Sequence, residues 1–372
     1  MKAWLADMTA YKKEYLLRMT DDTGMLQHAK YSVPDPSYGY TTDDNARALI
    51  LAAGLAARYP DSVYDKLLYR YAGFLLGAQK DDGRFCNFMG YDRRWLECDG
   101  SDDCQGKSIW GIASALVSDA VSSNLKKMLG FMLFRALPAV RELHFIKSRA
   151  YALLGLARLL RQGKSAAVQA GWVSEHPRQS EKADWMLIED TAGVLSTALQ
   201  QAWQQEHTLE WSWFEASLTY SNAMVPWSLL AYGQAAGQQG LLRIGMEALD
   251  FLAGKTMRSD CFCPVGCQGW WPRGSAAGAL YDQQPLEAAE MLGASREAYL
   301  LTRQKKYQRW AERAYRWYEG RNIADHSLLD PVSGGCYDGI TPQGVNENQG
   351  AESQIAWGIS FLIWQDFLAD AV

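Results

Sequence analysis

The stretch Gly39-Tyr-Thr-Thr-Asp-Asp-Asn-Ala-Arg47 leads directly into the apolar segment ARALILAAGLAA at 46–57. A side chain such as Thr42 or Asp43 is a natural N-cap, and carboxylates near a helix N-terminus are stabilised by its free N–H groups and dipole. The segment therefore predicts a helix near 43–58. On its own, the pair Asp43 and Asp44 needs no explanation beyond capping this helix.

The same arrangement recurs along the chain, which weakens an explanation by capping alone. Five further apolar segments also begin with a polar cluster, so that six such openings lie at 43–47, 101–107, 144–149, 219–222, 281–287 and 346–352. All six are rich in Asp, Glu, Gln, Asn or Arg. A polar cleft shared by the six openings explains this repetition better than six separate caps.

The apolar segments alternate with charged, amphipathic ones. The pattern predicts about twelve helices, near 2–19, 43–58, 61–80, 105–120, 123–137, 146–162, 181–205, 219–237, 239–256, 282–294, 296–319 and 349–370. Helices that are apolar on all sides are buried, whereas amphipathic helices form an outer shell. We therefore expect an all-α (α/α)6 toroid, built as a single domain over residues 1–372, whose parallel inner helices bring the six openings together at one end.

Composition restricts the partners. The 372 residues are 48% hydrophobic and 21% charged with a net charge of −5, which argues against nucleic acid or an anionic membrane as a partner. No apolar run is long enough to span a bilayer, and the first residues lack the apolar stretch of a signal peptide. A cytoplasmic location without membrane association is the expectation.

The seven cysteines, an odd number, fit a closed disulfide framework poorly. The spacing of Cys261, Cys263 and Cys267 matches no strong zinc pattern, and no histidine lies nearby. We interpret the cysteines as reduced thiols and expect neither a metal nor a cofactor.

Aromatic residues are unusually frequent, with 15 Trp and 19 Tyr. Several tryptophans stand beside charged residues in segments that we read as loops, namely Trp95, Trp211, Trp213, Trp270 and Trp271. Flat apolar faces with a polar edge suit a sugar ligand, so Trp95 and Trp271 are predicted to form part of a sugar platform.

The blocks at 22–29, 39–50, 87–96, 269–274, 281–288, 334–346 and 348–353 resemble a bacterial family of six-hairpin, glycosidase-like proteins. Its members occur alone or as a C-terminal module behind glycosyltransferase domains. The resemblance covers nearly the whole chain and implies an (α/α)6 toroid with a function related to carbohydrates. The chain departs from the family at Gln105, where a His is usual, and at Ser221 and Met224, where an Asp and an Arg are usual.

Glycoside hydrolysis needs one carboxylic acid and a second carboxylate. We favour Asp44 and Asp282 as catalytic residues, since both lie at inner-helix openings, and retain Asp43 and Asp92 as further candidates. The predicted substrate-binding residues are Arg47, Arg93, Arg94, Trp95, Trp271, Arg273, Tyr337, Asp338 and Glu352. For Arg47 and Arg94, an ion-pair network that braces the loops is an equally good explanation.

The sequence thus predicts a carbohydrate-active enzyme, a glycoside hydrolase acting on an oligosaccharide. One alternative is a non-catalytic glycan-binding or partner module on the same fold, in keeping with the departures at Ser221 and Met224. Another is a sugar epimerase or isomerase. Toroidal epimerases use histidine bases, and His28 and His144 are interpreted here as scaffold residues within reach of the cleft.

Overall fold

The computed structural model describes residues 11–173 and 179–370, with the side chains of 179–184 left out. These residues contain thirteen helices: α1 Glu14–Arg18, α2 Thr42–Arg58, α3 Ser62–Ala78, α4 Asp102–Leu116, α5 Ser123–Val140, α6 Ile146–Gln162, α7 Lys164–Gln169, α8 Gln179–Glu206, α9 Met224–Ala235, α10 Gln239–Thr256, α11 Pro285–Thr302, α12 Lys305–Tyr318 and α13 Ala351–Asp370.

Six of these helices form a closed inner ring. Along the ring, α2 packs on α4, α4 on α6, α6 on α9, α9 on α11 and α11 on α13, and α13 returns to α2. The outer layer consists of α3, α5, α8, α10 and α12, each packed on the inner helix before it in the hairpin series. The predicted all-α (α/α)6 toroid is confirmed.

The inner helices are apolar on every side because they are enclosed by both neighbours and the outer layer. In α4, every residue from Cys104 to Leu116 is buried. Close approach of α2 and α4 requires a glycine at position 111, since a Cβ there would lie 2.4 Å from the carbonyl oxygen of Ala46.

Three helix predictions differ from the structure. The break expected between 294 and 296 lies instead at Arg303, whose positive φ of 57° ends α11. The predicted helix 2–19 lies partly outside the described residues, and its described part is helical only over Glu14–Arg18. The short α7 was not predicted, because the apolar pattern of α6 ends at Gly163, whose positive φ of 87° ends the helix.

In the described residues, seven short strands, which the sequence did not predict, occupy the connections at the end of the ring where the inner helices begin. They form three antiparallel sheets: β1 Leu26–Lys30 with β2 Val33–Thr41 and β3 Phe88–Met89, β4 Ser217–Leu218 with β5 Trp271–Pro272, and β6 Gly339–Thr341 with β7 Gly344–Asn346. Strand β2 runs directly into α2, and β7 shortly precedes α13. The small sheets therefore form the walls around the openings of the inner helices.

Among the described helices, none has the length and apolar character needed to cross a membrane. The cytoplasmic location stays a prediction from the sequence.

A polar cavity at the openings of the inner helices

A cavity of about 350 Å³ lies where the inner helices begin. Its wall holds five carboxylates, Asp43, Asp44, Asp282, Asp338 and Glu352, together with Arg47. These groups come from the starts of α2 and α13, the segment before α11 and the segment before β6. The volume lies at the lower end of the range found for ligand pockets.

The start of α2 supplies the most tightly bonded part of the wall. Thr41 caps the helix: its hydroxyl accepts from the backbone N–H of Asp44 and donates to Asp44 Oδ2 at 2.6 Å. One turn later, Arg47 donates from Nη2 to Asp44 Oδ1 at 2.7 Å and from Nη1 to Glu352 Oε2 at 2.9 Å. Arg47 thus joins the first inner helix to the last.

Asp43 faces a second cation. Lys107, one turn into α4, donates from Nζ to Asp43 Oδ2 at 2.9 Å, and Arg47 Nη2 lies 3.9 Å from Asp43 Oδ1. Three carboxylates and two cations therefore share one partly buried site, namely Asp43, Asp44, Glu352, Arg47 and Lys107. Their total charge is negative when all are ionised, which favours one additional proton.

The pKa values of the two adjacent aspartates are shifted in opposite directions. Burial raises the pKa of Asp44, and the negative charges of Asp43 and Glu352 add to this against the opposing effect of Arg47, bringing it to about 7. Burial also opposes ionisation of Asp43, but the charges of Lys107 and Arg47 outweigh it and hold the pKa of Asp43 below its usual range. Near neutral pH, Asp44 can carry a proton beside an ionised Asp43.

Two further carboxylates line the cavity. Asp282 is partly exposed and its Oδ1 accepts from Gln268 Nε2 at 3.1 Å. Asp338 Oδ1 accepts from the backbone N–H of Gly350 at 2.7 Å and from the Ser353 hydroxyl at 2.8 Å. Burial raises the pKa of Asp338 despite these hydrogen bonds.

The loop 92–95, in contrast, is not part of the cavity wall. Asp92 and Arg94 are exposed and lie 3.7 Å from each other, and neither of them lines the cavity. Arg93 donates to both carboxylate oxygens of Asp22 on the surface. Trp95 packs edge-on against Phe74, with ring centroids 5.6 Å apart.

Three more predicted binding residues also lie outside the cavity wall. Trp271 donates from Nε1 to the Ser275 carbonyl, and Arg273 pairs with Glu206. Tyr337 packs against the apolar core beside Asp338. The structure therefore brings together Asp43, Asp44, Asp282, Arg47, Asp338 and Glu352, and places Asp92, Arg93, Arg94, Trp95, Trp271, Arg273 and Tyr337 elsewhere.

Two of the loop tryptophans are core residues. Trp211 and Trp213 are 4% and 0% exposed, although both stand in sequence near Glu215. Neither ring is accessible to a ligand, because the connection 207–218 folds back against α10, where both rings contact Phe251.

Several cavity residues were not singled out by sequence reasoning. The polar side chains of Gln27, Gln284, Thr341 and Asn346 line the cavity, and so does His28, whereas His144 does not. Lys107 lies within the second polar opening, and the signal available was its place one helical turn after Asp103, as the one charged residue of α4 beyond its first turn.

A second group of buried polar side chains lies in the interior of the ring. Glu290 Oε1 accepts from the hydroxyls of Ser221 at 2.7 Å and Tyr151 at 2.8 Å, while Glu287 Oε1 accepts from the backbone N–H of Ser221. Burial and the charge of its neighbour raise the pKa of Glu287 to about 8, and burial raises that of Glu290 to about 7. Ser221 is thus part of this buried network.

The other departures from the resembled family are also buried. Gln105 bonds to the backbone of the preceding loop, accepting from Phe85 N–H and donating to the Gly83 carbonyl. Met224 is fully buried at the start of α9. Neither Gln105, Ser221 nor Met224 lines the cavity.

No group of three or more His, Cys, Asp or Glu side chains in the described part of the chain is arranged to hold a metal ion. All seven cysteines lie in the described ranges, where none is joined in a disulfide.

No protein-family model matches the sequence, and no curated protein matches it. Solved structures do. A cellobiose 2-epimerase from Spirochaeta thermophila has a TM-score of 0.72 at 12% identity, over 100% of this chain and 97% of that one. A sugar epimerase from a ruminal bacterium has a TM-score of 0.71 at 8% identity, over 98% of both chains.

An α-mannanase from Bacteroides thetaiotaomicron also matches, with a TM-score of 0.62 at 11% identity over 98% of both chains. At sequence identities this low, a structural match supports a shared architecture but not a shared reaction. The chain therefore has the six-hairpin (α/α)6 toroid fold, which it shares with epimerases and a glycosidase.

Proposed function

We propose that the protein is a carbohydrate-active enzyme, a glycoside hydrolase in which Asp44 is the general acid and Asp282 the second carboxylate. The observation that carries the proposal is the pair Asp43 and Asp44. Two neighbouring carboxylates in one cavity have pKa values displaced in opposite directions, a pattern typical of acid and base assignments in active sites.

Asp44 has the properties of a general acid. It is 4% exposed but lies in the cavity wall, and its raised pKa retains a proton near neutral pH. That proton would pass to the glycosidic oxygen as the bond to the leaving sugar breaks. Arg47 and Thr41 hold the carboxyl group in place.

Asp282 comes from a different element, the segment before α11, and is more accessible than Asp44. Its bond to Gln268 orients one oxygen and leaves the other, Oδ2, for a water molecule or the anomeric carbon. Glu352 and Asp338 complete an acceptor-rich wall that suits sugar hydroxyl groups.

A sugar epimerase or isomerase is the second candidate function. The observation that favours it is His28, an exposed side chain that lines the cavity and offers a base for removing a proton next to a carbonyl group. The epimerase structures share the fold, which makes this candidate compatible with the architecture.

One proposal on organisation accompanies the function. We treat residues 1–372 as one domain, which is supported by a main apolar core that includes Tyr11 and Phe367.

The test is turnover of cello-oligosaccharides and α-manno-oligosaccharides of two to six units. New reducing ends report hydrolysis, whereas deuterium uptake from D2O without new reducing ends reports epimerisation. Asp44→Asn and Asp282→Asn should each lower hydrolysis by at least about 100-fold, since Asn cannot transfer a proton. Asp65→Asn on the exposed face of α3 is the matched control and should retain the wild-type rate.

The outcomes separate the candidates. If both Asn variants hydrolyse at the wild-type rate, another carboxylate pair performs the reaction. Deuterium exchange that is lost in His28→Gln supports the epimerase. Binding without any turnover supports a glycan-binding module.

A further inference from the structure

Four large apolar side chains are exposed on β2 and in the turns next to the sheet of β1, β2 and β3. Tyr31, Val33, Tyr38 and Tyr91 each expose more than half of their accessible surface. Exposed apolar side chains that cluster beside a cavity commonly mark a binding surface.

Tyr38 is held outward by the backbone. Residues two apart in a regular strand lie on the same face, yet Tyr38 is exposed and Tyr40 is 1% exposed, with its hydroxyl bonded to Asp21. Between them, Gly39 has a φ of 64°, and the β1–β2 register shifts at this point. A Cβ on Gly39 would lie 2.1 Å from the Met89 carbonyl oxygen, so the arrangement requires glycine.

The exposed surface is continuous with the cavity. His28 lines the cavity, and its ring packs edge-on against Tyr38 with centroids 4.6 Å apart. A second connection runs through Asn348, whose side chain accepts from Tyr31 N–H at 2.9 Å and whose carbonyl accepts from Asp338 N–H at 2.8 Å. Strand β1 and the turn of the hairpin are therefore both tied to the cavity wall.

The size of the cavity limits what it can hold. A volume of about 350 Å³ suits a small ligand, so a longer chain must leave the cavity over its rim. Resting on the proposed carbohydrate function, we propose that a glycan extends from the cavity over His28, with its outer sugar units on the ring of Tyr38. The substrate is then an oligosaccharide and not a monosaccharide.

The chemistry of the rim fits this ligand. A tyrosine ring offers an apolar face to the C–H face of a pyranose and a hydroxyl group to its rim. Beside it, Asp35 in the β1–β2 hairpin accepts from Ser37 at 2.6 Å and can also accept from a sugar hydroxyl. The rigid ring loses little conformational entropy on binding, because its position is already fixed by His28.

The test is the dependence of affinity on chain length, measured by calorimetry with glucose to cellohexaose and with mannose to α-mannohexaose. The wild type should bind at least one series with a dissociation constant that falls about tenfold from one unit to three or more. Tyr38→Ala should abolish this gain and leave the affinity for the monosaccharide unchanged, whereas Tyr38→Phe should retain the gain, because it keeps the ring.

Tyr69→Ala is the matched control. Tyr69 is 48% exposed on α3, and its hydroxyl contacts Ser122 at the opposite end of the ring. The inference is overturned if affinity still rises with oligosaccharide length in Tyr38→Ala. It is also overturned if the affinity of the wild type does not depend on that length. In both cases the proposed carbohydrate function stands. A Tyr38→Ala variant that changes only self-association assigns the surface to a protein partner and also overturns it. If neither series binds the wild type, the proposed function falls and the inference falls with it.

Discussion

Replacing Asp43 by Asn tests whether the pKa of Asp44 is set by its neighbour. Asp43 Oδ1 and Asp44 Oδ1 lie 3.9 and 2.7 Å from the same Arg47 nitrogen, so these oxygens are at most about 6.6 Å apart. At an effective dielectric constant of about 20, two unit charges at that distance repel by about 2.5 kcal/mol, or nearly two pKa units.

The direction follows from the charges. Asp43→Asn removes a negative neighbour and frees Lys107 and Arg47 to act on Asp44, so the pKa of Asp44 should fall from about 7 towards 5. A general acid works in its protonated form. The limb of the kcat/KM profile on which activity declines with rising pH should therefore move down by about two pH units.

The assay is a pH–rate profile on whichever oligosaccharide is turned over, with the ¹³Cγ chemical shift of Asp44 as a readout that needs no activity. Asp65→Asn should leave both curves in place. A limb and a chemical-shift titration that stay near pH 7 in Asp43→Asn would refute the reasoning, because the charge of Asp43 would then contribute nothing.

Three further outcomes are expected. Glu290 has a raised pKa of about 7 in the folded protein, so its contribution to stability is present at low pH and is lost as the pH rises towards 7. Glu290→Gln should therefore reduce the decline in the free energy of unfolding, measured with urea, between pH 5 and 8. Gly111→Ala should lower the free energy of unfolding by about 1–3 kcal/mol, because the Ala46 carbonyl cannot move away. Gly73→Ala on α3, where the added Cβ meets open space, should not destabilise the protein. Arg94→Ala should leave turnover within about twofold of wild type, since that side chain is exposed and outside the cavity wall, and a large loss of activity would show that the 92–95 loop closes over the substrate.

The sequence was sufficient for the architecture. Apolar helices alternate with amphipathic ones, and this local pattern predicts which face of each helix is buried. The structure bears this out in α4, which is buried throughout from Cys104 to Leu116. It also does so in α12, whose buried residues are Tyr307, Ala311, Ala314, Tyr315, Trp317 and Tyr318. The polar openings at Asp43, Asp44 and Glu352 converge because parallel inner helices begin at the same end of the ring.

Only the tertiary structure separated cavity residues from their neighbours in the loops. Asp92 and Asp282 both lie in polar, aromatic segments, yet the first projects into solvent and the second lines the cavity. The path of each loop depends on short strand pairings, such as Gly339 with Asn346, that leave almost no trace in the sequence.

The pKa displacement of Asp44 illustrates the same division. Helix geometry places Asp44 beside Arg47, three residues later, and this much follows from the sequence. Its raised pKa depends most on burial, and also on the charge of Glu352, which lies 308 positions further along the chain and reaches the site only when the ring closes. Periodicity is a local property that a sequence displays directly, whereas the electrostatics of a site sums over groups that only the folded chain brings together.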